Sequence, residues 1–349
     1  MTKRIAVLGA GAIGSCVGAD LTKTGHDVTV IDQWPQHVEA MKAAGLRISM
    51  PDEELEIRVD ARHLCELASL NRTFDLVLMA VKSYDTRWMA ELIRPYLAAD
   101  GTLVAMQNGM NDEAVSDIVG RERTVGCVVE LSGEIYTPGI VQRDTTRPGT
   151  WFAVGELDGT ITPRVEEIRT ILSNVAVVDV SDNILGAKWT KLIANSMTMA
   201  PFGLTGLKNW QARELPGMFE ISVQLGREAV AVGAALGYQL EPIFGLTPDE
   251  FAGSTDEVLA TAQRTLMAHI GSNSTTAPVH DHIKGRRSEI AYITGLVVAR
   301  GTELGVPTPY NAAVLEIDEQ LNTGQLAMAE SNVDLLKARV ASAAGSTQP

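Results

Sequence analysis

The stretch Lys3-Arg-Ile-Ala-Val-Leu-Gly9-Ala-Gly11-Ala-Ile-Gly14 decides how the rest of the chain is read. Residues 3–8 form a short apolar run with β-branched members, the pattern of a buried strand. A glycine-rich turn follows, then a helical pattern to about Thr24, then a second apolar run, Val28-Thr-Val-Ile31, ending in Asp32. Strand, turn, helix and strand within roughly 30 residues make one βαβ unit. Inside it, Gly9 to Gly14 fit G-x-G-x-x-G. The first glycine permits the tight turn, and the second lets a pyrophosphate approach the backbone. The third lets the helix pack on the strand, while Ala12 and Ile13 open a helix whose N-terminus faces the phosphates. In this setting the pattern points to a bound dinucleotide.

Asp32 stands at the end of the second strand, eighteen residues beyond Gly14. A carboxylate there hydrogen-bonds ribose hydroxyls and repels a 2′-phosphate. The next residues are Gln33, Trp34 and Pro35, with no arginine among them, so NAD(H) is the expected cofactor and NADP(H) the second choice. The alternative reading is that Asp32 caps the following helix.

Further apolar runs at Phe74–Val81 and Thr102–Ala105, each followed by a helical stretch, predict a parallel, doubly wound α/β sheet. Between residues 124 and 155, runs broken by Gly133, Pro138, Gly139, Pro148 and Gly149 suggest an antiparallel extension. After Val175–Val180 strand signals almost vanish, and residues 184–200, 213–236, 255–270, 283–304 and 311–321 read as helix. The expected domains are therefore 1–180 and an all-helical 181–340, with a flexible tail at 341–349 and a loop around 242–254.

The 349 residues suit about two domains at ~150 residues each. With 45% apolar and 21% charged residues the composition is that of a globular chain with a filled core. A formal net charge of −14 repels phosphate backbones and anionic lipid, so neither nucleic acid nor membrane is an expected partner. Three scattered cysteines make neither a disulfide framework nor a zinc cluster, and a reduced, cytoplasmic protein without a metal is expected. His280 and His282 do not share a helix face and have no acidic partner at ligand spacing.

Other candidates rest on position. Lys82 follows the Phe74–Val81 run and Asn108 follows the Thr102–Ala105 run, beyond strand ends where ligands gather. A solvated loop lysine and an ordinary Asn-Gly turn are the equal alternatives. Residues 184–206 contain only two charges, Lys188 and Lys191, so the segment is expected to be buried on most sides. Lys191, Asn195 and Met199 lie at i, i+4 and i+8 on one stripe. A buried lysine is a candidate acid or base, with Lys188 the competitor; otherwise both lysines reach the surface. Glu289 reads as opening a helix and sharing a face with Ile293 and Leu296, either aimed inward or compensating the helix dipole.

Taken in order, these motifs resemble the ketopantoate reductase (2-dehydropantoate 2-reductase) family. The likeness covers Gly9–Gly14, Ala80-Val-Lys82, Gln107-Asn-Gly109, the Lys191/Asn195 helix, Arg286-Arg-Ser-Glu-Ile290 and Gly305-Val-Pro-Thr-Pro309. The resemblance implies a Rossmann-type domain followed by a helical one, with the active site in the cleft between them. The activity implied is reduction of a 2-oxo acid to a 2-hydroxy acid with a nicotinamide cofactor. Lys191 then looks like the general acid, Asn195 like a substrate-binding amide, and Glu289 like the carboxylate that accepts a bond from a substrate hydroxyl. Asn108 matches the cleft amide and Lys82 the lysine on the cofactor side.

Four departures from the family pattern stand out: Asp32 where NADPH-using members carry a basic residue, Met199 where a second asparagine is common, Ala277 where a serine is expected, and Ala291 in place of an aspartate. Lost polar contacts of this kind shift specificity. The reading is thus an NAD(H)-dependent enzyme interconverting a 2-oxo and a 2-hydroxy acid, with 2-dehydropantoate as default substrate and a homodimer as the expected assembly. An opine- or β-hydroxy-acid-type dehydrogenase is the rival enzyme, and a non-catalytic dinucleotide-sensing protein the rival of another class.

Overall fold

In the computed structural model, which describes residues 3–241, 255–269 and 274–345, the opening apolar run is the central strand β1 (Arg4–Leu8). Ile5 through Leu8 are fully buried, and their side chains alternate between two cores. Ile5 and Val7 pack on one face with Leu76, Leu78 and Val104; Ala6 and Leu8 pack on the other with Val77, Met79 and Leu103. A strand apolar at four successive positions is what a sheet covered on both faces requires.

The remaining strands are β2 (Asp27–Asp32), β3 (Leu46–Ser49), β4 (Glu54–Ile57), β5 (Asp60–His63), β6 (Phe74–Met79), β7 (Leu97–Ala105), β8 (Thr124–Glu130), β9 (Gly133–Thr137), β10 (Ile140–Arg143), β11 (Trp151–Glu156) and β12 (Val177–Val180). The helices among them are α1 (Ala12–Lys23), α2 (Pro35–Ala44), α3 (Thr86–Ile93), α4 (Asp112–Val119) and α5 (Pro163–Leu172). One sheet has the order β12-β11-β8-β7-β6-β1-β2-β5, parallel throughout except between β8 and β11. The chain reverses its direction of winding at β1: β2 pairs on one side and β6 on the other. That reversal is where ligands bind in open α/β sheets.

The expected antiparallel extension is divided between two sheets. Strands β8 and β11 do pair antiparallel within the large sheet. The β9–β10 hairpin instead joins β3 and β4 in a separate sheet of order β4-β3-β10-β9, with Ile140 opposite Arg47. Below it, the fully buried Arg143 donates to Asp20 of α1 at 2.8 Å and to Thr150 at 2.7 Å, so its charge is paired.

The described chain divides into two units, residues 1–185 and 186–349. The second is built from most of α6 (Ile184–Met197) and from α7 (Met199–Gly203), α8 (Asn209–Arg213), α9 (Met218–Ala235), α10 (Thr255–His269), α11 (Ala277–Ile283), α12 (Thr294–Leu304), α13 (Pro309–Asn322) and α14 (Asn332–Gly345). Its core gathers Phe202, Leu204, Met218, Leu225, Ile290, Val314, Ile317 and Leu336. Parallel sheet with flanking helices, then an all-helical unit, is the architecture expected from the sequence.

Three local readings need correction. The helix from 184 ends at Met197; Thr198, at φ −123° and ψ −58°, breaks it, and Met199 opens a new one. Residues 284–289 are not helical, and α12 begins only at Thr294. Helix α14 runs on through residues 341–345, where a flexible tail was expected; residues 346–349 lie outside the described residues, as does the 242–254 loop. Among the described residues no helix is long and apolar enough to cross a membrane.

Candidate active site

Three glycines of the turn meet three different constraints. Gly9 has φ +94°, and a Cβ there would lie 2.9 Å from the Val81 nitrogen. The turn therefore rests directly against Ala80-Val81, at the end of the neighbouring strand β6. A Cβ on Gly14 would lie 1.8 Å from the Gly9 carbonyl oxygen, so only glycine lets α1 begin this close to the strand. Gly11 is exposed, and a Cβ there would meet nothing within 4 Å. Open space in front of the first turn of α1 is what an approaching pyrophosphate needs. Gly18, one turn further, repeats the close approach: its Cβ would be 2.8 Å from Val30. The G-x-G-x-x-G pattern does not include it.

Asp32 does more than either sequence reading assumed. Its Oδ2 accepts from the Ala10 N–H at 2.5 Å, and its Oδ1 accepts from the Trp34 N–H at 2.7 Å. One oxygen thus holds the glycine turn, and the other holds the residue before α2. Each carboxylate oxygen keeps a further lone pair for a ribose hydroxyl. Beside it, Gln33 Nε2 donates to Asp85 Oδ2 and Trp88 Nε1 donates to Asp85 Oδ1, both at 2.8 Å.

Lys82 and Asn108 lie just past the ends of β6 and β7 and are both half-buried. Their loops are stitched together by neighbours. Gln107 Nε2 donates to the Val81 carbonyl at 2.9 Å and to Thr86 Oγ1 at 2.8 Å. Asn111 Nδ2 donates to Ser83 Oγ at 3.0 Å and to the Asn108 carbonyl at 2.8 Å. The first unit therefore brings Gly9–Gly14, Asp32, Lys82 and Asn108 to the carboxyl ends of four adjacent strands. Cys16, under the turn, is not a reactive thiol: burial pushes it up to about 12.

In the second unit, α6 is anchored by Trp189, which is 1% exposed. Its Nε1 donates to the Ala229 carbonyl at 3.0 Å, and its ring stacks on Tyr238. Gly233 makes room, since a Cβ there would be 2.1 Å from the indole nitrogen. Lys191 and Asn195 share the stripe expected of them, but Met199 leaves it at the Thr198 break. Burial separates the lysines: Lys188 is 2% exposed, while Lys191 is only half-buried. Depth of burial alone selects Lys188; only the family resemblance selects Lys191.

Glu289 is 8% exposed, but it does not open a helix. It precedes a short 3-10 turn, Ile290–Tyr292, and is held there by its neighbour. Ser288 Oγ donates to the buried Asp318 at 2.7–2.8 Å, and its N–H donates to Asn322 Oδ1 at 2.9 Å. The Ile290 N–H turns to Ser288 Oγ at 3.2 Å, and these bonds replace a continuous helix. The Gly305–Pro309 motif leads into α13, whose first N–H groups, of Tyr310 and Asn311, donate to Glu228 at 2.9 Å. Burial pushes the Glu228 carboxyl above its ordinary range. Ser288 falls within the Arg286–Ile290 motif, but its bond to Asp318 spans 30 residues and that of Glu228 to Tyr310 spans 82, so neither pairing has a local sequence signal. Among the described residues no three His, Cys, Asp or Glu side chains are grouped to hold a metal ion.

A glycine turn at the winding reversal of a parallel sheet, followed by an all-helical unit, defines a protein with a dinucleotide-binding fold. Comparison with known proteins narrows this. The profile of "Ketopantoate reductase PanE/ApbA" matches residues 5–158, and that of its C-terminal domain matches residues 183–321. The chain belongs to the ketopantoate reductase family. Its curated relatives include the 2-dehydropantoate 2-reductase of Archaeoglobus fulgidus, 24% identical over 92% of this chain and 99% of that one. Another, from Caulobacter vibrioides, is 28% identical over 90% and 97%. Among solved structures, a PanE/ApbA family ketopantoate reductase from Ralstonia eutropha JMP134 superposes with a TM-score of 0.78 at 28% identity, covering 92% of this chain and 99% of that one. D-Mandelate dehydrogenase with NADH and anilino(oxo)acetate has a TM-score of 0.80 at 20% identity over 92% and 98%, a likeness of fold.

Proposed function

We propose that this chain is an NAD(H)-dependent oxidoreductase that interconverts a 2-oxo acid and a 2-hydroxy acid. The observation that carries the proposal is the meeting of the open Gly11 turn with Asp32 at the winding reversal of the sheet. Gly9, Gly11, Ala12, Ile13 and Gly14 would hold the pyrophosphate and Asp32 the ribose, with Lys82 and Asn108 toward the nicotinamide. When bound, the nicotinamide supplies or takes up hydride. Asp32 disfavours a 2′-phosphate by like charge, and the neighbouring Gln33 is committed to a second carboxylate, Asp85. Both features support NADH over NADPH. The same fold carries NADH and anilino(oxo)acetate in D-mandelate dehydrogenase.

In this reading Lys191 gives a proton to the carbonyl oxygen of the 2-oxo acid, and in reverse takes it from the hydroxyl. Its ammonium also stabilises alkoxide character in the transition state. Asn195, one turn along α6, donates to the substrate. Glu289 accepts from a substrate hydroxyl, and Ser288 and Asp318 keep its segment in place. The homodimer is part of the same proposal and is read by light scattering.

The test is a panel of 2-oxo acids and 2-hydroxy acids, 2-dehydropantoate among them, followed by NADH absorbance and repeated with NADPH. Oxidation of NADH by at least one 2-oxo acid, faster than with NADPH, is the expected result. Dinucleotide binding without turnover of any acid would favour the sensing protein instead.

A further inference from the structure

His37 lies in the first turn of α2 and is completely buried. Its two ring nitrogens face two different elements. The backbone N–H of Gly139, in the β9–β10 turn, donates to Nδ1 at 2.9 Å. Nδ1 is therefore the bare nitrogen of a neutral imidazole, and the ring proton lies on Nε2. Nε2 stands 3.2 Å from Ser15 Oγ and donates to it. Ser15 Oγ then donates to the Ala10 carbonyl at 2.8 Å. Each bond in the series has a single direction, from Gly139 through His37 and Ser15 to the glycine turn.

Two further features hold the ring. Trp34 stacks on it with centroids 5.4 Å apart and planes at 25°. Gly139, at φ +79°, lies so close to α2 that a Cβ would be 3.1 Å from that of Ala40.

The Ala10 carbonyl and the Gly11 N–H belong to one planar peptide group, so fixing the oxygen fixes the direction of the N–H. Asp32 already fixes the peptide before it, through the Ala10 N–H. We propose that His37 is a positioning residue for the dinucleotide: by way of Ser15 it aims the Gly11 N–H, and the β9–β10 hairpin braces it. The proposal rests on the turn being a dinucleotide site. It gives the second sheet a part in cofactor binding that its place outside the large sheet does not suggest.

The test measures equilibrium NADH binding to the full-length wild type, His37→Phe, Ser15→Ala and the double variant, with thermal melts of each. His37→Phe keeps an aromatic ring against Trp34 and removes both bonds; Ser15→Ala is small enough to fold whatever becomes of His37. Each single variant is expected to raise the NADH Kd about fivefold to tenfold, the scale of one hydrogen bond. Because the bonds act in series, the double variant should bind no worse than the poorer single one. In turnover the loss should fall on the NADH KM and not on kcat. Wild-type affinity in Ser15→Ala, or two single effects that simply multiply, overturns the relay while leaving the turn as the dinucleotide site. Failure of the wild type to bind NADH overturns that reading of the turn, and the relay with it.

Discussion

Replacing Gly11 with alanine adds one methyl group to a turn that has room for it. The new Cβ meets no atom within 4 Å, and the backbone, at φ −63° and ψ −168°, is open to any L-residue. Two small effects on stability oppose each other. Alanine is a poorer N-cap than glycine by roughly 0.5–1 kcal/mol. Against that, it restricts the unfolded chain and returns about 0.4–1 kcal/mol. The net change lies within about 0.5 kcal/mol, a shift of ~1–2 °C in Tm. Binding should respond differently, because the methyl stands where the proposal puts the pyrophosphate. Losing one charge-assisted hydrogen bond from a backbone N–H costs ~1.5–3 kcal/mol, or roughly a 10- to 100-fold rise in the NADH Kd.

Gly14→Ala is the contrast. Its Cβ would sit 1.8 Å from a backbone oxygen, so the helix must move and the melting temperature must fall by several degrees or more. Titration of NADH fluorescence beside a thermal melt separates the two cases. Should Gly11→Ala melt and bind NADH like the wild type, the turn is not where the pyrophosphate lies, and the cofactor assignment fails.

Two other substitutions test neighbouring parts of the account. Asp32→Arg reads from the sequence as a switch toward NADPH. The structure adds the loss of the bonds to the Ala10 and Trp34 N–H groups, so affinity for both cofactors and thermal stability should drop together. An Asp32→Arg protein that melts normally and prefers NADPH would make those two bonds dispensable. Asp75 probes acid stability: the hydrogen bonds from the Arg4 side chain hold its carboxyl at about 2, below the ordinary ~3.9. A depressed carboxyl stabilises the fold above its unfolded pKa, and that contribution disappears as pH falls through the folded one. Urea midpoints of wild type and Asp75→Asn should therefore differ at pH 6 and converge between about pH 4 and pH 2; a constant gap would refute the assignment.

What could be read from the sequence was contiguous. The β1–turn–α1–β2 unit declares itself because its strands, glycines and Asp32 follow one another within about 30 residues, as a βαβ unit does. The second sheet was hidden because β10 pairs with β3, Ile140 against Arg47, across most of the first unit. The interruption before Glu289 was hidden for the same reason: Asp318 holds Ser288 from 30 residues away, and the local periodicity still reads as helix. Lys191 illustrates a different limit. Burial favours Lys188 over it, and no argument from polarity or periodicity reverses that order; the proposal for Lys191 rests on the family resemblance alone.

The most direct measurement is therefore made on that lysine. Wild-type and Lys191→Ala proteins are preloaded with NADH, mixed rapidly with a 2-oxo acid that the wild type reduces, and followed through a single turnover by the loss of NADH absorbance. The expected outcome is full NADH occupancy in both, with oxidation slowed by about 10²- to 10⁴-fold in the variant. Oxidation at the wild-type rate would remove Lys191 from proton transfer and turn attention to Lys188.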